Sequence, residues 1–263
     1  MRRIKSLIFC MPLCLGLQAK AQESLFVCYG RVAPEHIQGF DMVILEPGHY
    51  KEEEIALFKK NNEKVIGYVS CTEVNLEAPY YEEVSDFVLG ANDNWDSHYL
   101  DVSMEECRSV LLQYFHSVLA KGFDGLFLDT LDNASQWGPL FRIQSGLFDL
   151  IRATTQLKND IILLQNGGLW NMEFFGPLTR GVLVESVVTA FDFQKGTYEL
   201  ASKEQAIKQI KRLKAVKKKF KKEIYIVEYT QSARVKTMVE RIIPKDFNVF
   251  VANIDLNQNP KFE

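Results

Sequence analysis

The chain has 263 residues, 47% of them hydrophobic and 25% charged, an ordinary globular composition that suits one large α/β domain or two small ones. The whole chain carries a formal charge of −3; beyond residue 21 there are 27 basic against 34 acidic residues, a formal −7. That balance argues against a nucleic-acid binder, which needs a basic footprint, and favours a cationic or neutral partner.

Residues 1–21 stand apart. Arg2, Arg3 and Lys5 form a basic start, an apolar run follows from Leu7 to Leu17, and Ala19-Lys20-Ala21 supplies a small-x-small cleavage pattern. This predicts a signal peptide cut before Gln22, followed by a single domain over 22–263 and a secreted or periplasmic protein. The run is too short to span a membrane, and no later run is long enough. Three cysteines lie beyond it: Cys28, Cys71 and Cys107. One pair could bridge, but the odd count leaves a free thiol, so export implies no disulfide scaffold.

Apolar runs at 25–29 and 41–46 predict two strands, and 51–61 a helix. A third strand is expected over 64–70. Residues 71–103 read as a long polar loop holding Tyr80, Tyr81, Trp95, His98 and Tyr99, either packed inward or forming a sugar-binding rim. A helix follows over 104–121, with Ser103 as N-cap and Glu106 completing a capping box. The fourth strand, in the stretch Phe-Asp-Gly-Leu-Phe-Leu-Asp over 123–129, stops at Asp129, with Asp132 three residues on. A helix over 139–158, a strand over 161–165, a strand over 181–185 and a basic helix over 203–222 come next. Ile207, Ile210, Leu213, Val216 and Phe220 recur at helical spacing and give that helix its apolar face. Strands at 224–227 and 248–252 flank a short helix at 233–242. Eight buried strands separated mostly by helices predict a (β/α)8 TIM barrel.

Chemistry on such a barrel sits at the carboxyl ends of the strands. Here those ends carry Tyr29, Glu46, Tyr68 and Ser70, Asp129, Gln165 and Asn166, Glu185, Glu228 and Asp255. Several carboxylates at one mouth repel one another and spread their pKa values, which suits paired acid and base work. Glycoside hydrolysis needs one carboxylic acid for the leaving oxygen and one carboxylate as nucleophile or base. Asp129 and Glu185 are the expected pair. Tyr29, Glu46, Tyr68, Trp95, Asp132, Asn166, Glu228 and Tyr229 are the expected substrate-binding or supporting groups. The four histidines show no metal spacing, so neither metal nor cofactor is expected.

The chain resembles glycoside hydrolase family 114, the endo-α-1,4-polygalactosaminidase-like TIM-barrel family. The matching pieces are Lys64-Val-Ile-Gly-Tyr-Val-Ser70, Asn94-Trp95, Tyr99-Leu-Asp101, Gly122-Phe-Asp-Gly-Leu-Phe-Leu-Asp-Thr-Leu-Asp132, Gln165-Asn-Gly167, Gly181-Val-Leu-Val-Glu-Ser186 and Val227-Glu-Tyr229. The resemblance implies action on α-1,4-linked polysaccharide containing galactosamine, with Asp129 as nucleophile or stabiliser and Glu185 as acid/base, the split between them open. It departs from the family at Ser70-Cys71-Thr72-Glu73, at Glu46 where Asp is usual, and at Ser97-His98. Two alternatives stay in view: an inactive carbohydrate-binding barrel, and an envelope structural or interaction protein whose strand-end acids form internal salt bridges. Oligomeric state and anomeric outcome are open. The processed amino terminus is testable: protein from the native host should have an intact mass beginning at Gln22, and a chain beginning at Met1 would contradict the signal peptide.

Overall fold

The computed structural model describes residues 24–263, and the expected signal peptide lies outside them. Eight parallel strands form one sheet in chain order: β1 (Leu25–Cys28), β2 (Met42–Leu45), β3 (Val65–Ser70), β4 (Gly125–Asp129), β5 (Ile162–Asn166), β6 (Gly181–Glu185), β7 (Glu223–Tyr229) and β8 (Asn248–Ala252). Most of their residues are buried, as strands covered on both faces must be. Between them run α1 (Glu52–Asn61), α2 (Glu105–Ala120), α3 (Gln144–Thr154), α4 (Met172–Leu178), α5 (Lys203–Phe220) and α6 (Ala233–Ile242). The result is the expected TIM barrel, with a 3₁₀ turn at Pro34–His36 in place of a helix between β1 and β2.

The barrel is nearly closed. β1 and β8 share no strand ladder, but the Tyr29 N–H donates to the Leu256 carbonyl at 2.6 Å, and the Phe26 and Phe250 rings meet at 5.5 Å. Gly30 permits this seam: a Cβ there would lie 2.1 Å from the Asn257 carbonyl oxygen. Among the described residues no helix is long and apolar enough to cross a membrane. Cys28, Cys71 and Cys107 are all buried free thiols, so no pair bridges.

Three sequence expectations need correction. Residues 71–103 are not an irregular loop. They form a three-stranded antiparallel sheet, with Ser97–Leu100 between Glu73–Asn75 and Val88–Asn92, plus a one-turn helix at Tyr81–Val84. Helix α2 begins one residue later than Ser103 would allow as a cap. The Ser103 hydroxyl is spent on Asp101 Oδ1 at 2.5 Å, and Met104 occupies the cap position with no side-chain bond. In α5 the buried residues are Ala206, Leu213 and Val216, and Ile207 is 56% exposed. One residue is about 100° of helical turn, so Ala206 takes the inward place that hydrophobicity alone assigns to Ile207.

A second hairpin, Thr189–Asp192 with Thr197–Leu200, follows β6. Both insertions rise from the carboxyl ends of strands. Their tips meet through Trp95 and Phe193, whose rings lie edge to face at 5.2 Å.

The glycines of β3 and β4 separate soft from hard packing. A Cβ on Gly125 would lie 1.9 Å from the Ile162 carbonyl oxygen, whereas one on Gly67 would meet the Val118 Cγ1 methyl at 2.5 Å. A side chain can swing and a ladder carbonyl cannot. Gly125→Ala should therefore cost about 3 kcal/mol and Gly67→Ala about 1 kcal/mol, within the usual range for overpacking. Urea midpoints of the two variants check the order.

Candidate active site

Asp129 is the last residue of β4. Alternate strand residues share a face, so its side chain points the same way as Phe127, into the barrel mouth. Three donors hold its carboxylate. The Tyr68 hydroxyl gives to Oδ2 at 2.8 Å, while the Thr130 N–H at 2.7 Å and Asn166 Nδ2 at 2.9 Å give to Oδ1. Glu185 ends β6 and has two donors, the Tyr229 hydroxyl on Oε2 and Asn166 Nδ2 on Oε1 at 2.8 Å. One amide nitrogen therefore serves both carboxylates, spending one N–H on each. Oδ1 of Asp129 and Oε1 of Glu185 can lie no farther apart than about 5.7 Å, the two bonds of 2.9 and 2.8 Å laid end to end.

Burial raises both carboxyl pKa values above the ordinary range. For Asp129 the three donors oppose that rise. For Glu185 the charge of Asp129 adds to it, and the donors on Tyr229 and Asn166 oppose it. Asp129 therefore has more donors opposing its rise, and Glu185 has the neighbouring charge adding to its own. The Tyr68 and Tyr229 hydroxyls are pushed well above the ordinary phenol value, by burial first and then by Asp129 and Glu185 respectively, so they remain donors.

The residue after each acid is strained. Thr130 (φ 64°) and Ser186 (φ 58°) both adopt the left-handed conformation without being glycine. That costs about 1–3 kcal/mol each and persists only where neighbours enforce it. Thr130 is enforced by its side chain, whose Oγ1 accepts the Cys71 and Thr72 N–H groups at 3.2 and 2.9 Å. The Ser186 N–H donates to the Val227 carbonyl at 2.9 Å.

The other expected site residues are placed unevenly. Asp129, Asp132, Asn166 and Glu185 line one open cleft of about 300 Å3, together with Thr130, Asn133 and Gly167. Asp132 accepts the Gly168 N–H at 3.2 Å; burial raises its pKa. Tyr29 packs on Tyr68 with ring centroids 4.8 Å apart. Its own pKa is raised by burial and then by Asp129 and Glu185. Glu46 folds back on its own turn and accepts the Gly48 N–H at 3.2 Å. Trp95 is at an insertion tip and 56% exposed.

Glu228 does not face the cleft. It is fully buried and accepts from the N–H groups of Val187, Val188 and Thr189 and from the Thr189 hydroxyl, at 2.6–3.1 Å. It anchors the hairpin after β6 rather than reaching a ligand. Asp255, at the end of β8, is exposed and approached by Asn253 Nδ2 at 3.4 Å.

One functional group was not singled out from the sequence. Glu73 is 6% exposed and accepts from Asn92 Nδ2, the Ser97 hydroxyl and Asn133 Nδ2, the last at 2.7 Å. It ties the sheet after β3 to the cleft wall, and its charge is among the influences that raise Asp129. The available signal was a lone acid, Glu73, inside the short run Cys71-Thr72-Glu73-Val74. Among the described residues no three His, Cys, Asp or Glu side chains are grouped to hold a metal ion.

A TIM barrel with two buried carboxylates sharing a donor at its mouth has the architecture of a glycoside hydrolase. The chain belongs to glycoside-hydrolase family GH114, whose profile matches residues 18–262. It is accordingly an enzyme of the glycosidase class. The fold is similar to the glycoside hydrolase domain of PelA from Pseudomonas aeruginosa, with a TM-score of 0.79 and 21% identity over 92% of this chain and 100% of that one. It is also similar to Aspergillus fumigatus Ega3, solved in complex with galactosamine, with a TM-score of 0.70 and 14% identity over 90% of this chain and 92% of that one. A more distant likeness is the α-galactosidase of Thermus thermophilus, with a TM-score of 0.56 and 12% identity over 88% of this chain and 58% of that one. At these identities the likeness is one of fold. None of the curated proteins matches by sequence.

The raised carboxyls give a signed expectation. The folded protein keeps these protons at a higher pH than the unfolded chain does. Between the unfolded and folded values the native state binds more protons, so stability falls as pH rises through that window. Through that window each acid costs stability, first as a proton the unfolded chain has already lost and then, above the folded value, as a buried charge. Glu185→Gln removes the titration of one acid, so it should raise the melting temperature at neutral pH. The gain should shrink as pH falls to the ordinary carboxylate range near about 4.3. Thermal melts of both proteins across that span check the direction.

Proposed function

We propose that this protein is an exported glycosidase that cleaves α-1,4-linked galactosamine-containing polysaccharide with retention of anomeric configuration. The observation that carries the reading is the single Asn166 amide shared by Asp129 and Glu185. It holds their nearest oxygens within an upper limit of about 5.7 Å, which is compatible with the roughly 5–5.5 Å separation of retaining carboxyl pairs.

The role split follows from the donor count. Asp129, ionised and oriented by Tyr68, Thr130 and Asn166, attacks the anomeric carbon. Glu185, protonated because Asp129 is charged beside it, gives its proton to the leaving glycosidic oxygen. The sugar is then held as an ester of Asp129. Glu185, now a carboxylate, takes a proton from a water that attacks the same carbon and frees Asp129. The pH profile should be a bell, with its acid limb set by protonation of Asp129 and its basic limb by loss of the Glu185 proton.

Three features support an amino-sugar substrate. The family is one of glycoside hydrolases, the similar Ega3 was solved with galactosamine, and the cleft is lined by Asp129, Asp132 and Glu185 with no basic side chain among its lining residues. A sugar bearing an ammonium group suits that lining. The basic and apolar segment at residues 1–21 supports export.

The test is product release from deacetylated polygalactosamine and from galactosaminogalactan, read by mass spectrometry. Wild type should release hexosamine oligomers. Asp129→Asn and Glu185→Gln should each lower turnover about a thousandfold or more, roughly 4 kcal/mol of barrier, while remaining folded. Near-wild-type turnover in both variants would reject the pair. Binding of these polymers by wild type without release of product would favour the carbohydrate-binding barrel instead.

A further inference from the structure

Trp137 is the most exposed large apolar side chain among the described residues, at 76%. Exposed aromatics elsewhere at the rim have partners. Trp95 packs on Phe193, and Phe193 on Phe191. The half-buried Trp170 lies among Phe148 and Phe175. No other ring among the described residues packs on Trp137. An indole left in water forgoes the large stabilisation its burial would bring, so an unpartnered one held on a rigid support is a place to look for a ligand.

The support is rigid and fastened to the cleft. Trp137 sits in a turn that follows the cleft residues Asp132 and Asn133. The Asp132 carbonyl accepts the Ser135 N–H at 3.0 Å, and the Asn133 carbonyl accepts the Leu140 N–H at 2.9 Å. Inside the turn, the Ser135 hydroxyl takes the Trp137 N–H at 3.3 Å, and its carbonyl takes the Gly138 N–H at 3.0 Å. Gly138 presses directly on the cleft wall, since a Cβ there would lie 2.2 Å from the Asn133 carbonyl oxygen and 2.4 Å from that of Asp132. Phe141, 56% exposed, follows at the far end of the same turn. The turn that carries the two aromatics is therefore fastened to the backbone that forms one wall of the carboxylate cleft.

We propose that Trp137 is a stacking platform for a sugar ring of the polymer outside the catalytic cleft, a binding subsite that favours long chains over short ones. The proposal rests on the reading of the cleft as a polysaccharide site. A pyranose has one face of C–H groups that packs flat on an indole, and a protonated amino group adds attraction to the ring's electron-rich face. A rigid aromatic presents such a surface at low cost in conformational entropy. With this platform beside the cleft, the polymer chain is gripped beyond the bond being cut.

The experiment measures binding of α-1,4-linked galactosamine oligomers of increasing length to Glu185→Gln protein, with and without Trp137→Ala, by calorimetry. Trp137→Phe serves as the conservative control, and all proteins are checked for equal melting temperature. The chain has three tryptophans, so a ligand-induced change in fluorescence that disappears in Trp137→Phe reports on this residue. Affinity should rise with oligomer length when Trp137 is present. Trp137→Ala should lower affinity for the longest oligomers about tenfold, leave the shortest unchanged, and be largely rescued by Phe. Equal affinity of the longest oligomers with and without Trp137 would overturn the platform and leave the cleft reading intact. Failure of any oligomer to bind the Trp137-containing protein would overturn both.

Discussion

Two carboxylates are buried side by side at the mouth of this barrel, and among the described residues no cationic side chain is bonded to either. That is costly, since each charge loses water and each feels the other. The cost is met by donors, and nearly every distinctive feature of the upper barrel supplies or positions one. Asn166 spends both its N–H groups on the pair, and Tyr68 and Tyr229 each give a hydroxyl to one acid. Thr130 gives its N–H, and its own left-handed backbone then turns the chain directly after Asp129. Pure stability would favour neutral side chains at both positions.

The insertions are tied to the same centre. Glu73 joins the sheet after β3 to Asn133 on the cleft wall. Glu228 gathers three N–H groups just beyond Ser186 and sets the path of the hairpin after β6. Both are buried carboxylates satisfied by neutral donors, and both sit beneath rim segments whose tips meet at Trp95 and Phe193. The rim is thereby built on the barrel rather than hung from it, which keeps its tips and the acids in fixed relation.

Much of the barrel was readable because buried parallel strands are near-continuous apolar runs and stop at a polar residue. Asp129 and Glu185 end β4 and β6 as the runs implied, and the register sets Ser70 opposite Asp129 and Val227 opposite Glu185. Hidden from the sequence was everything that depends on contacts across it. Asn166 was visible as a strand end, but its shared bond to two acids needs three strands in place. Glu228 looked equivalent to Glu185 because both end apolar runs; only the fold shows that one lines the cleft and the other lies beneath a hairpin. The sheet after β3 escaped notice because its strands are three to five residues long and polar on one face. Ser103 carried a capping signal, yet Asp101 competes for its hydroxyl two residues away. Helix α4 was missed for a local reason, being seven residues long with Pro177 inside it.

One amide bounds the distance between the nearest oxygens of the two acids, and the proposed reaction depends on that distance. The most direct measurement is the anomeric configuration of the first-formed product, followed by proton NMR before mutarotation. A pair bridged by Asn166 calls for retention, so an α-linked polymer should first yield the α-anomer. Initial formation of the β-anomer would show that a water fits between the carboxyls, and would contradict Asp129 as the nucleophile.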